Sequence, residues 1–201
     1  MSDTAENKIE VVFIRHAKTP GNMLKKYVGA MSDEDILDEE KSRITPLSDE
    51  FDLLISSPMK RCISTLELLC PGRDFEIIDD FIETDFGSFE GKTYDELKND
   101  ARYIEWLESG GETGFPGGER LSDCNNRIIR GLNKMISYCK DGNNKILALV
   151  HGGTIMSILS ELTNGNYYDY QVDNLCGYKV EFFYNNGNLI CDTVETYTAI
   201  K

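Results

Sequence analysis

Short apolar runs closed by turn residues, separated by stretches with helical spacing, organise this chain. Ile9 to Ile14 is β-branched and nearly all apolar, the pattern of a central strand covered on both faces. Phe51 to Ile55 predicts a second strand, closed by Ser56-Ser57-Pro58. Beyond it Met59, Cys62, Ile63, Leu66 and Leu69 recur at helical spacing. The Ser-Pro pair is a good helix start, because proline is tolerated in the first turn and serine can cap. Phe75 to Ile78 predicts a third strand. A longer helix is predicted from about Leu121 to Cys139, apolar at Leu121, Cys124, Ile128, Leu132, Met135 and Ile136, stopping before Asp141-Gly142. Ile146 to Val150 reads as another covered strand and Thr154 to Leu162 as a helix. The tail, Tyr178 to Tyr184 and Leu189 to Val194 around Asn185-Asn186-Gly187-Asn188, reads as a hairpin from its turn chemistry.

Residues 79 to 118 break this alternation. They are rich in Gly, Asp and Glu, with two helical patches at Tyr94 to Asn99 and Ala101 to Glu108, and predict an excursion over the strand ends. The expectation is an α/β fold of three layers: a mostly parallel central sheet, helices on both faces, an antiparallel C-terminal hairpin and a small helical excursion over the active site. A length of 201 residues fits one domain spanning 1–201, with a lid-like segment at about 79–118.

Composition narrows the partners. A formal charge of −14 disfavours any broad contact with nucleic acid or an anionic membrane, so a bound anion needs a local pocket of positive charge. The six cysteines form no C-x-x-C pair and, with two histidines in the chain, offer no zinc spacing. They read as small buried apolar residues in a reducing compartment. The polar, acidic N-terminus lacks a signal-peptide layout, and no apolar stretch approaches the ~20 residues of a membrane span, so a cytoplasmic location is expected.

Both histidines directly follow a predicted strand: His16 after Val11-Val12-Phe13-Ile14-Arg15, and His151 after Ile146 to Val150. Open α/β sheets place their chemistry at carboxyl strand ends, so the two imidazoles meet if those strands are neighbours. Arg15 beside His16, followed by Asn22, offers a guanidinium and free backbone N–H groups to a phosphate. Arg61 sits at the start of the helix after Ser56-Ser57-Pro58, where the helix dipole adds positive potential, although alone it reads as a solvated cation. In Val150-His151-Gly152-Gly153-Thr154 the glycines permit close backbone approach to a ligand. Glu83 lies among aromatic residues that could desolvate a carboxyl into an acid near neutrality. Asp79, Asp80, Asp85 and Glu90 compete for that role on chemical grounds.

Taken together, RHAKTPGN, SSPMKRC, ETDFGSFEG, PGGER and VHGGTI resemble the histidine phosphatase superfamily, with its phosphoglycerate-mutase-like fold, over nearly the whole chain. The resemblance implies that His16 is the nucleophile that becomes phosphorylated and that Glu83 is the proton donor. It further implies that Arg15, Asn22, Arg61, His151 and the Gly152 N–H form the phosphate pocket. It implies hydrolysis of a small phosphorylated metabolite with no metal or other cofactor. Two departures stand out: Ala17 replaces the usual glycine, placing a methyl group near the phosphate, and the connection from Asn22 to Ser56 is short.

The acid loop E-x-D-F-G-x-F-E-G is similar to the α-ribazole phosphatase and broad-specificity phosphatase branch, and its short excursion should admit water. The alternatives are phosphoryl transfer of the mutase type and a non-catalytic module that binds a phosphorylated ligand. Lys18, Lys25, Lys26 and Tyr27 are placed to line the entrance and receive a second anionic group, or to be ordinary surface residues. Tyr94, Trp106 and Phe115 could cover an apolar or heterocyclic substrate, with one of them equally suited to the core.

Overall fold

The computed structural model describes residues 7–139, 144–185 and 188–199. The expected helix stop at Asp141-Gly142 and the centre of the expected turn, Asn186-Gly187, lie outside them. The strands are β1 (Asn7–Arg15), β2 (Leu53–Ser56), β3 (Glu76–Ile77), β4 (Lys145–Val150), β5 (Cys176–Asn185) and β6 (Asn188–Thr198). They form one sheet in the order β3-β2-β4-β1-β5-β6. The first four are parallel, and β5 and β6 extend the sheet as an antiparallel hairpin. The helices are α1 (Pro20–Met23), α2 (Asp38–Arg43), α3 (Lys60–Leu69), α4 (Tyr94–Leu97), α5 (Ala101–Glu108), α6 (Leu121–Ser137) and α7 (Gly152–Thr163).

Alternation along the central strands divides the core into two. Val11 and Phe13 of β1, with Ile146, Ala148 and Val150 of β4, pack against Ile128, Leu132 and Met135 of α6 and Ile155, Ile158 and Leu159 of α7. Val12, Ile14, Leu147 and Leu149 face the other way, toward Cys62, Leu66 and Leu69 of α3. Both faces of β1 and β4 are therefore covered, which is why those segments read as continuous apolar runs. Gly177 is dictated by this packing: a β-carbon there would collide with the carbonyl oxygen of Phe13 on the neighbouring strand.

The excursion has its own small core. Phe89, Leu97 and Tyr103 are buried, and Tyr27, Phe86, Trp106 and Phe115 pack against them edge to face or tilted. Three local readings change. The third strand shrinks to two residues at the sheet edge, with both side chains exposed. Helix α3 starts at Lys60 with Met59 at its cap and no side-chain cap hydrogen bond; Ser57 Oγ meets His151 and accepts only a long bond, 3.4 Å, from the Met59 N–H. Of the six cysteines, all free thiols, Cys62 and Cys124 are buried and the other four are partly exposed.

Candidate active site

Strand register sets the site. Arg15 pairs with Val150 across β1 and β4, and the His16 N–H donates to the Val150 carbonyl at 3.1 Å. The next residue on each strand is a histidine, so the two rings meet with centroids 5.2 Å apart at 65°. Both are buried.

Each ring's tautomer follows from its partners. His16 Nδ1 lies 2.7 Å from the Ala17 carbonyl oxygen, which can only accept, so Nδ1 carries the proton and Nε2 keeps its lone pair. Arg61 Nε, which can only donate, lies 3.3 Å from His151 Nδ1; the neutral ring therefore holds its proton on Nε2 and donates it to Ser57 Oγ at 2.7 Å. Burial, reinforced by Arg61 and its neighbours, pushes the pKa of both histidines well below the ordinary imidazole value. Both rings are thus neutral near neutral pH.

Arg61 has the largest fully buried side chain among the described residues. Its Nη1 donates to the Ser32 carbonyl at 2.7 Å and its Nη2 to the Gly29 carbonyl at 3.2 Å, which holds the guanidinium rigidly and leaves N–H groups over for a ligand. That loop is tied down in turn by Glu90, whose carboxylate accepts from the Gly29 and Met31 N–H groups. Arg15 donates to the Val172 carbonyl at 2.8 Å, and its buried Nε has no hydrogen-bond partner among the described residues. An unpaired, buried guanidinium N–H whose charge acts on both histidines and on Glu83 is a candidate receptor for an anion.

The competition among carboxylates is resolved by position. Asp79 is exposed, Asp80 pairs with Arg130, Asp85 accepts from the Gly87 N–H and Glu90 holds the loop just described. Glu83 is buried, with Oε1 accepting from the Thr84 N–H at 2.9 Å and Oε2 at 4.0 Å from His151 Nδ1. Burial raises its pKa, against the lowering effect of the Thr84 N–H and of Arg61 and Arg15. The balance favours the protonated acid over a wider pH range than an exposed carboxyl would show.

Asn22 lies apart from the cationic cluster's own bonds. Its side chain completes the capping box of α1 with Thr19, and its Oδ1 also accepts from Asn174 at 3.3 Å. Gly152 opens α7, and a methyl group there would lie 3.5 Å from Arg15 Nε, so its backbone stands against that guanidinium. The methyl of Ala17, expected near the phosphate, is instead fully buried in the α3-facing core, and its N–H donates to Thr65 Oγ1. Lys18, Lys25 and Lys26 are exposed and Tyr94 is 59% exposed, whereas Tyr27, Trp106 and Phe115 line a cavity beside the cup.

Three positioning residues escaped the sequence reading. Ser57 looked like a helix cap and is the partner of His151. Asn174, in a loop without a motif, donates to the His16 carbonyl at 2.8 Å. Arg127 on α6 donates to the Asp80 and Ile82 carbonyls and pairs with Glu119, fixing the segment that carries Glu83. The sole trace of this last arrangement was Glu119 within PGGER.

The family model of the histidine phosphatase superfamily (branch 1) matches residues 11–191. An uncharacterized phosphatase, PhoE, of Bacillus subtilis is 28% identical over 162 residues, covering 78% of each chain. Phosphoserine phosphatase 1 of Hydrogenobacter thermophilus is 29% identical over 129 residues, 60% of this chain and 61% of that protein. The crystal structure of the alpha-ribazole phosphatase from Shigella flexneri superposes with a TM-score of 0.77 at 20% identity, covering 92% of this chain and 96% of that one. It shares the fold.

Proposed function

The chain belongs to the histidine phosphatase superfamily, and on that premise we propose that it hydrolyses a small phosphomonoester through a phosphohistidine formed on His16. The observation that carries this reading is the pair His16 and Arg15. His16 Nε2 keeps a free lone pair because Nδ1 is committed to Ala17, and Arg15, close enough for its charge to act on His16, has an unpartnered buried Nε. A dianionic phosphoryl group brought there is met by Arg15, the spare N–H groups of Arg61 and the backbone at Gly152. His151, held by Arg61 and Ser57 beside His16, completes the set, and Asn22, whose side chain caps α1 and accepts from Asn174, would have to exchange those bonds to join it.

In the first step His16 Nε2 attacks phosphorus in line, the P–N bond forms and the ester P–O bond breaks. Glu83 gives its proton to the departing oxygen, so a neutral alcohol leaves. In the second step the Glu83 carboxylate takes a proton from a water that attacks phosphorus, releasing inorganic phosphate and restoring both groups. Each half-reaction needs one nucleophile and one proton carrier, and among the described residues Glu83 is the acid buried against the histidines. The PhoE and phosphoserine phosphatase relatives support hydrolysis over transfer by their names.

The test is to incubate the protein with p-nitrophenyl phosphate, quench in base, which preserves phosphohistidine, and map the label. Label on His16, with phosphate release that disappears in His16→Ala, is the expected result. Undiminished turnover in that variant would refute the assignment.

A further inference from the structure

The phosphatase reading leaves open what the phosphate is attached to, and the cavity beside the cup bears on that. Its volume is about 520 Å³, within the range of roughly 300–1,000 Å³ usual for small-molecule sites. Thr84 and Gly153 form the wall it shares with the cup. Glu83 Oε1 accepts from the Thr84 N–H, and a β-carbon on Gly153 would lie 2.8 Å from that same oxygen. Thr84 and Gly153 thus hold the carboxyl that would protonate the leaving oxygen, and the apolar cavity they line opens beside it, while the other opening next to Glu83, lined by Asp85, Glu119 and Arg127, is charged.

The cavity's walls are apolar and aromatic. Phe86, Trp106 and Phe115 come from the excursion; Met156, Tyr167 and Tyr168 come from α7 and the turn after it. None of the fifteen described residues lining it is Asp, Glu, Lys, Arg or His, in a chain of which 28% is charged. At the mouth Leu107 is 50% exposed and Tyr168 61%, so apolar surface continues outward. A carboxylate drawn into this space loses its hydration and finds no cation, whereas an aromatic ring gains burial and edge-to-face contacts.

We infer that this cavity is the leaving-group pocket and that it selects monophosphates of uncharged aromatic or bulky apolar alcohols over those of carboxylated alcohols. The inference rests on the phosphatase reading above. The chemistry is unchanged: P–N replaces P–O, and the alcohol departs through the cavity carrying the Glu83 proton.

Three esters of primary alcohols test it with similar leaving oxygens: 2-(1-naphthyl)ethyl phosphate, ethyl phosphate and O-phosphoserine. Scored by released inorganic phosphate, kcat/KM for the naphthylethyl ester is expected to exceed that of ethyl phosphate by about tenfold or more, the scale of a filled apolar pocket, and that of phosphoserine by more again. Leu107→Lys, at an exposed rim position that does not disturb the core, should lower the naphthylethyl-to-phosphoserine ratio about tenfold, mainly through KM; Tyr168→Lys should move it the same way. Equal or better use of phosphoserine by the unaltered protein, or a ratio unmoved by both variants, overturns the inference while p-nitrophenyl phosphate is still hydrolysed. Failure to hydrolyse any of the four esters would overturn the phosphatase reading, and the inference with it.

Discussion

Two pockets share the wall made by Thr84 and Gly153 and differ in almost every physical respect. The cup holds Arg15, His16, Arg61, Glu83 and His151, all ionisable and nearly all buried. The cavity on the other side has no ionisable Asp, Glu, Lys, Arg or His among its described lining residues. Burying a guanidinium costs several kcal/mol unless it is bonded, about the scale at which single changes unfold a protein. The cup meets that cost with fixed carbonyls at Gly29, Ser32 and Val172, so its charges stand ready before any ligand arrives. The cavity meets no such cost and gives up directional bonding. On the proposed reading, charge concentrated on one side carries the reaction and its absence on the other selects what the reaction is performed on.

The comparison breaks most completely at His16. His16→Ala should lower turnover of p-nitrophenyl phosphate by at least about a thousandfold, the usual scale for loss of a nucleophile. It should leave the cavity intact. The single tryptophan, Trp106, lines that cavity, so its fluorescence should still respond to an aromatic phosphate in this variant. Loss of both signals together would show that the two pockets are not separable.

Next in size is Glu83→Gln. Removing a general acid costs about 10²–10⁴-fold when the leaving group needs its proton, so hydrolysis of ethyl phosphate should fall by that order while p-nitrophenyl phosphate falls only slightly. The pH dependence follows from the directions of shift. Burial holds the Glu83 proton above the usual carboxylate range and keeps His16 neutral below the usual imidazole range. Activity on alkyl esters should therefore decline on the alkaline side as Glu83 ionises and on the acid side as His16 takes a proton. The alkaline decline should vanish in Glu83→Gln, which initial rates across the pH range will check.

The shared wall itself gives a smaller effect. Gly153→Ala places a methyl group against Glu83 Oε1 and must push that carboxyl aside. A displacement of about an ångström at a reacting group costs up to a hundredfold, so alkyl esters should suffer more than p-nitrophenyl phosphate, measured as the ratio of their kcat values. Equal losses would place the harm elsewhere than at the acid.

The smallest expected effects are on stability. The native protein keeps the Glu83 proton at pH values where the unfolded chain has lost it, so its stability contribution falls as pH rises through the folded pKa. Glu83→Gln removes that penalty and should raise Tm near neutral pH. His16 and His151 act with the opposite sign. Their depressed pKa values mean that the unfolded chain binds protons the native state refuses, so stability is lost as pH falls below the ordinary imidazole value. Thermal melts between mildly acid and neutral pH will show whether both signs hold.

Much of this architecture was legible before any coordinates. The apolar runs that became β1 and β4 announced strands covered on both faces, and the helical spacing after Pro58 and from Leu121 located α3 and α6. The two histidines announced themselves by following those runs, and the motif set pointed to Arg15, Arg61 and Glu83 by resemblance. These features are local: periodicity and turn chemistry are properties of neighbouring residues, so a linear string can carry them. What the string could not carry is which strands are neighbours and in what register. The pairing of Arg15 with Val150 brings His16 to His151, and that is a decision of the whole sheet. The same holds for Ser57 against His151, for Arg127 beneath the acid loop, for Glu83 buried while Asp79 is exposed, and for the Ala17 methyl turned into the core. The uncharged cavity is assembled from a loop near residue 27, the excursion and the turn after α7. Segments so far apart in sequence acquire a common chemical character only when the chain has closed around them, because burial and mutual distance are properties of the packed whole.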